Sequence, residues 1–234
     1  MKNLVLNIPH SSLHGIFDEK IGKWRLNSFL INDVVIPHTD IFTDLVFRVK
    51  DMENITPIVF PYSRFVCDVE RLENDPLEEI GQGIIYTKFK GYTRQPLTDE
   101  EKQAILQLRI EHINKLKSAL NKDSILIDCH SFIAEEDDRW IDVCIGFNND
   151  WSYNKKVVDI VYKTFKKHGY EVSLNKPYAN SIAPKMDFEY PSVMIEANKA
   201  LYYNYYLNIL NTDPKVWMRW YYCLGEVYQN LKSI

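Results

Sequence analysis

Six short apolar runs rich in β-branched residues recur along the chain, at residues 4–8, 55–60, 125–129, 141–145, 171–174 and 193–195. Their length and composition predict strands. Between them lie segments whose apolar residues return at helical spacing. The clearest opens with Thr98 as N-cap and Glu101 three residues later, a capping box, and continues with Ile105, Leu108, Ile113, Leu116 and Leu120. It predicts a helix ending near Asn121. A second helix is predicted over residues 152–168, burying Val157, Val158, Val161 and Phe165 and stopping at Gly169, a left-handed C-cap. A third starts after Asp213-Pro214, with Trp217, Trp220, Tyr221, Leu224, Val227 and Leu231 along one side, a stripe that reads as core. Short strands alternating with such helices predict an α/β three-layer sandwich: a mixed, mostly parallel sheet with helices on both faces. No repeat, low-complexity tract or linker divides the 234 residues, and with only 8 glycines little flexible material exists to build one. A single domain over residues 1–234 is therefore expected.

Charge narrows the range of partners. The 28 Lys+Arg residues are balanced by 32 Asp+Glu, a net charge of −4, and the basic residues are scattered, so a nucleic-acid partner is not expected. The longest apolar runs, Ser124-Ile-Leu-Ile-Asp128 and Ser192-Val-Met-Ile-Glu196, stop far short of the ~20 residues of a bilayer span, which argues against a membrane partner. The run at 4–8 contains Asn7 and lacks the features of a signal peptide, so a cytoplasmic location is expected. Cys67, Cys129, Cys144 and Cys223 form no C-x-x-C pair and read as buried, inert thiols. Tyrosines cluster at residues 202–206 and 221–222, where they suit a pocket, an interface or the core equally.

Three apolar runs lead into a residue able to bind metal or move a proton: His10, His130 and Glu196. In open α/β sheets ligands bind beyond the carboxyl ends of strands, so these three are candidates for one rim. Asp40 and Asp44, four apart, share a face if their segment starts a helix; equally, they are first-turn acids that complement a helix dipole. A catalytic zinc takes three His or carboxylate ligands and an open position, a count that two histidines and one aspartate meet. Arg64 and Arg71 offer bidentate forks to an acidic substrate, or internal salt bridges to Asp68 or Glu70.

Five blocks in order then carry a resemblance: Ile8-Pro-His-Ser11, Thr39-Asp-Ile-Phe-Thr-Asp-Leu45, Ser63-Arg-Phe-Val-Cys-Asp-Val-Glu-Arg71, Asp128-Cys-His-Ser131 and Ile195-Glu-Ala-Asn-Lys-Ala-Leu-Tyr202. The chain resembles the N-formylglutamate amidohydrolase family, and the resemblance implies a fold similar to the zinc-dependent exopeptidases. It further implies hydrolysis of an N-formyl or N-acyl group from an acidic amino acid, with N-formyl-L-glutamate the first candidate. On this resemblance His10, Asp40 and His130 hold one zinc ion, with Asp44 the alternative carboxylate, and Glu196 is the general base that takes a proton from water and returns it to the leaving amine. Arg64 polarises the carbonyl oxygen or clamps a substrate carboxylate, and Arg71, Asn175 and Lys199 complete the substrate-reading set. Asp128, two residues before His130, orients an imidazole or bonds to nearby backbone.

The chain departs from the family pattern at Glu70-Arg71, at Lys199 and in the loop Asn175-Lys-Pro-Tyr-Ala-Asn-Ser181, where the family carries an N-R pair, an Arg and a Gly-rich segment. Lys keeps the charge of Arg and loses its fork. A carboxypeptidase-like hydrolase of short peptides or other N-acyl amino acids is therefore the second reading, and a metal-free binding protein the third. A Cys129–His130 hydrolase is disfavoured because adjacent strand residues point to opposite faces.

Overall fold

A computed structural model of the chain describes residues 1–24, 31–204, 207–211 and 213–234. In chain order the main elements are β1 (Asn3–Ile8), a short helix α1 (Thr43–Val46), β2 (Ile55–Val59), β3 (Lys88–Phe89), β4 (Tyr92–Thr93), α2 (Asp99–Ala119), β5 (Ser124–Phe132), β6 (Val143–Gly146), α3 (Lys155–Lys167), β7 (Val172–Leu174), β8 (Ser192–Asn198), β9 (Tyr203–Asn204), β10 (Ile209–Leu210) and α4 (Pro214–Lys232). They fall into two compact units, one made of Met1–Ile8, Phe42–Ile58 and Leu116–Ile234, the other of Pro9–Ile41 and Val59–Lys115. Among the described residues no helix is long and apolar enough to cross a membrane.

The first unit is built around a six-stranded sheet in the order β2-β1-β5-β8-β6-β7. All six predicted runs are strands of this sheet. β1 with β5, β5 with β8 and β6 with β7 are parallel, and β6 with β8 is antiparallel, which makes the sheet mixed and mostly parallel as expected. Every residue of β5 and β8 is buried, the pattern of strands covered on both faces. Both strands run past their apolar stretches, because the ladder between them continues to Phe132 and Asn198. His130 and Glu196 are therefore inside strands instead of beyond their ends.

The predicted helix at 152–168 begins three residues later than expected, at Lys155, because Asn154 supplies its cap. Asn154 caps α3 by accepting from the N–H groups of Lys156 and Val157, and Asp213 caps α4 by accepting from Lys215. Gly169 follows α3 with φ +76°, a conformation that costs a side chain and suits glycine. Of the predicted stripe of α4, Trp220, Leu224, Val227 and Leu231 are core and Trp217 and Tyr221 are half-buried; Trp220 packs on Phe47, Phe165 and Tyr170. Polar ends of α4 aromatics serve α1, whose four residues leave C-terminal carbonyls without helical partners. The Trp220 indole donates to the Val46 carbonyl at 2.8 Å, and the Tyr228 hydroxyl donates to the Phe47 carbonyl at 3.0 Å. Tyr228→Phe leaves a buried carbonyl without its donor and is expected to lower unfolding free energy by about 1–2 kcal/mol in urea titration. A change below about 0.3 kcal/mol would mean that water replaces the hydroxyl. Tyr202 and Tyr203 are buried; Tyr205 and Tyr206 lie outside the described residues.

The second unit has two apolar clusters, one of Ile16, Trp24, Val35, Phe65, Tyr86 and Phe89, the other of Phe60, Val66, Cys67, Val69, Ile84 and Ile105. Ile105 comes from α2, which opens with the predicted reciprocal cap: Thr98 N–H donates to Glu101 at 2.7 Å and Glu101 N–H donates to Thr98 Oγ1 at 3.3 Å. Residues 63–71 form a turn closed by Val66 and Cys67 N–H bonds to the Ser63 carbonyl. Phe65, Val66, Cys67 and Val69 go into the two clusters, which leaves Arg64, Asp68 and Arg71 to meet one another.

Candidate functional site

Strand register assembles the polar group of the first unit. Asn7 of β1 is the partner of Asp128 of β5, and His130 of β5 is the partner of Glu196 of β8. Side chains two apart on a strand share a face, as do partners in a parallel pair, so Asn7, Asp128, His130 and Glu196 lie on one side of the sheet. Cys129 is on the other side. Asp128 Oδ1 is 3.1 Å from His130 Nε2 and also accepts from the Asn7 amide at 2.8 Å, while its Oδ2 accepts from the Ile182 N–H at 2.9 Å. Asp128 thus takes both roles the sequence left open, orienting an imidazole and bonding to backbone.

The second unit centres on His10 and Asp68. His10 is buried, and its Nε2 is 3.0 Å from Asp68 Oδ1. On the other edge of the ring, Nδ1 faces two carboxylates, Asp40 Oδ2 at 3.6 Å and Glu70 Oε2 at 4.0 Å. The Asp40 N–H donates to the His10 carbonyl at 2.9 Å, which fixes the segment that carries this carboxylate. Burial and the Arg64 charge would lower the His10 pKa, but Asp68 and Asp40 outweigh them and the net shift is upward. Burial would raise the Asp68 pKa, but the Arg64 and His10 charges outweigh it and hold the carboxylate well below its usual range. Arg64 donates to Asp68 Oδ2 at 2.8 Å, and Arg71 Nε is 3.6 Å from the same oxygen. Of the two salt bridges weighed for Arg64, the one to Asp68 is present. An imidazole nitrogen flanked by two carboxylates offers the kinds of N and O ligand that Zn²⁺ takes, so the residues fit in kind the metal that the resemblance implies.

The other candidates are placed as follows. Asp44 is not on a helical face with Asp40: Phe42, in a left-handed conformation with φ 69°, separates Asp40 from α1, and Asp44 is in the first unit, half-buried on that helix. Asn175 is the left-handed residue after β7, and its side-chain carbonyl accepts from the Phe147 N–H at 2.9 Å, tying that turn to the end of β6. Lys199 follows β8 in a short helical turn capped by Asn198 and is buried. All four cysteines are free and buried, and burial pushes the thiols of Cys67 and Cys223 up to about 12. Glu70 and Tyr86 were not among the sequence candidates for this site. Glu70 had a signal, being in the same block as Asp68 and Arg71; Tyr86 had none, because an aromatic in an apolar run reads as core.

The profile of the N-formylglutamate amidohydrolase family matches residues 2–203. Comparison with curated proteins gives no match. Among solved structures, the chain is similar to N-formylglutamate amidohydrolase from Ralstonia eutropha JMP134, at 16% identity and a TM-score of 0.74, with 99% of this chain and 92% of that one covered. It is also similar to a gene product of Agrobacterium tumefaciens, at 16% identity and a TM-score of 0.67, covering 99% and 91% of the two chains. At this identity the likeness establishes a shared α/β fold; the profile, which takes in all five motif blocks, establishes more. The chain belongs to the N-formylglutamate amidohydrolase family.

Proposed function

We propose that the chain is a zinc-dependent amidohydrolase that removes the formyl group from N-formyl-L-glutamate, releasing formate and the free amino acid. Family membership supports the reaction class, and the observation that carries the metal is His10 Nδ1 facing the Asp40 and Glu70 carboxylates. In this reading one zinc ion is held by His10, His130 and Asp40, with Glu70 the competing carboxylate in place of Asp44. When bound, zinc supplies a Lewis acid and brings the pKa of a water molecule down towards 7.

The remaining steps belong to the side chains. Glu196 takes a proton from the attacking water and returns it to the amide nitrogen as the C–N bond breaks, so the water oxygen ends in formate and the proton on the leaving amine. Asp128 keeps the His130 ring in one orientation throughout. Arg64 carries a buried Nε–H that has no hydrogen-bond acceptor among the described residues, and this donor takes an oxygen of the substrate. Arg71, Asn175 and Lys199 read the substrate carboxylates.

Formate release from N-formyl-L-glutamate tests the proposal. Zinc-loaded protein is expected to turn over, chelation to abolish turnover, and added zinc to restore it. Stoichiometric zinc with no formate release, beside hydrolysis of short peptides or other N-acyl amino acids, would overturn the substrate. Failure to bind zinc would overturn the metal.

A further inference from the structure

Asp68 is surrounded by donors. Its Oδ2 accepts from Arg64 at 2.8 Å and from the Tyr86 hydroxyl at 3.2 Å, with Arg71 Nε 3.6 Å away, and its Oδ1 faces the Glu70 N–H at 3.3 Å. The direction of the Tyr86 bond is fixed in turn, because the phenolic oxygen itself receives N–H groups from both Arg64 and Arg71, each at 3.4 Å. With its oxygen facing two guanidinium donors, the hydroxyl hydrogen goes to Asp68. Asp68 therefore presents an acceptor, and only an acceptor, to the His10 ring 3.0 Å away.

We infer that Asp68 is a positioning residue: it holds the proton of the neutral His10 ring on Nε2 and so directs the Nδ1 lone pair at the place between Asp40 and Glu70 where the metal binds. The inference rests on the zinc reading above for its consequence; the tautomer follows from distance, because Asp68 Oδ1 is at hydrogen-bond distance from Nε2, 3.0 Å, whereas the Asp40 and Glu70 oxygens that face Nδ1 are 3.6 and 4.0 Å away. It also gives the two arginines of the Ser63–Arg71 block a function apart from substrate. Arg64 and Arg71 hold Asp68 and Tyr86 in the arrangement that leaves only an acceptor facing the histidine. Arg64 serves both ends, with its terminal nitrogen on Asp68 and its Nε–H left for substrate. The sheet side of the molecule repeats the device independently: Asp128 accepts from Asn7 and Ile182 and presents an acceptor to His130 Nε2. Such carboxylate–imidazole pairs fix ring orientation and raise ligand basicity.

Asp68→Asn separates this role from simple packing. The amide has one acceptor oxygen, and Arg64 and Tyr86 claim it, which turns the NH₂ towards His10 Nε2. The ring must then accept there and carry its proton on Nδ1. Two measurements read the change. Long-range ¹H–¹⁵N correlation spectra of zinc-free protein, at a pH above the titration of the ring, report the tautomer, with His10 assigned by loss of its signals in His10→Asn. Competition with a chromophoric chelator reports zinc affinity. The wild type is expected to show His10 protonated on Nε2; Asp68→Asn is expected to show the Nδ1-protonated form and to bind zinc about 10–100-fold more weakly. If Asp68→Asn does not fold, the double variant Asp68→Asn/Arg64→Gln removes both charges of the pair together, and the same two readouts apply. A folded variant that keeps the Nε2-protonated ring, or whose zinc affinity falls less than about threefold, overturns the inference. Wild-type protein that shows the Nε2-protonated ring but binds no zinc overturns the metal reading and leaves the assignment of Asp68 standing.

Discussion

Glu196→Gln is expected to slow formate release from N-formyl-L-glutamate by about 10²–10⁴-fold, the range a positioned proton-transfer group contributes. Glutamine has the same shape and keeps the strand pairing of β8 with His130 on one side and Cys144 on the other, so the sheet is left intact. What the amide cannot do is accept a proton from water and carry it to the departing nitrogen. Zinc content and thermal midpoint should therefore match wild type while turnover collapses, with the loss in kcat and not in substrate affinity. Comparable loss of zinc would move Glu196 from base to ligand. Turnover within about threefold of wild type would remove it from the mechanism and favour a binding protein that has kept the fold.

Arg94→Ala is expected to destabilise the protein by about 3–5 kcal/mol in denaturant titration, a large part of the 5–15 kcal/mol that holds a typical domain together. Arg94 is buried and gives its whole fork to the main chain of the second unit: Nε donates to Gly22 at 2.7 Å, one terminal nitrogen to Tyr86 at 3.0 Å and Val66 at 3.2 Å, and the other to Ile21. Burial pulls its pKa down to about 10, the mark of a cation held without a strong counter-charge. Removing the fork strands four carbonyls together, and each buried acceptor left unmade costs about 1–3 kcal/mol, less where water enters. Arg94→Lys should recover only part of the loss, since one ammonium cannot reach acceptors spread around a planar fork. Val66 is in the turn that carries Asp68, and Tyr86 bonds to Asp68 directly, so the surviving folded protein should also bind zinc more weakly. A loss below about 1 kcal/mol would show that the loops around residues 21–24 and 63–71 are held by their apolar clusters alone.

The strands and helix starts were legible because their causes are local. A run of β-branched residues, a Thr98–Glu101 box or an Asp213-Pro214 start acts within a few residues of itself, and the structure has each where the pattern puts it. Strand ends were less legible: β5 and β8 extend through polar residues because each supplies the other's hydrogen bonds, a property of the pair and of neither sequence alone. The apolar runs pointed in the same local way to His10, His130 and Glu196 as candidates. They did not give the company those residues keep. Asp40 and Asp44 look equivalent at four-residue spacing, but the left-handed Phe42 comes between Asp40 and α1, and the two acids belong to different compact units. Glu70 reaches the His10 ring from sixty positions away, and Tyr86 reaches Asp68 from an apolar run that reads as core.

The sequence by itself determined the elements, the fold class, the family and the residue types able to do metal-assisted hydrolysis, since period, capping and composition act along the chain. The tertiary structure decided which nitrogen of each histidine meets a carboxylate, which acids face His10, and which cation knits the second unit together. Those are contacts between residues far apart in sequence, and their geometry is set by strand register and core packing, which exist only once the chain has folded.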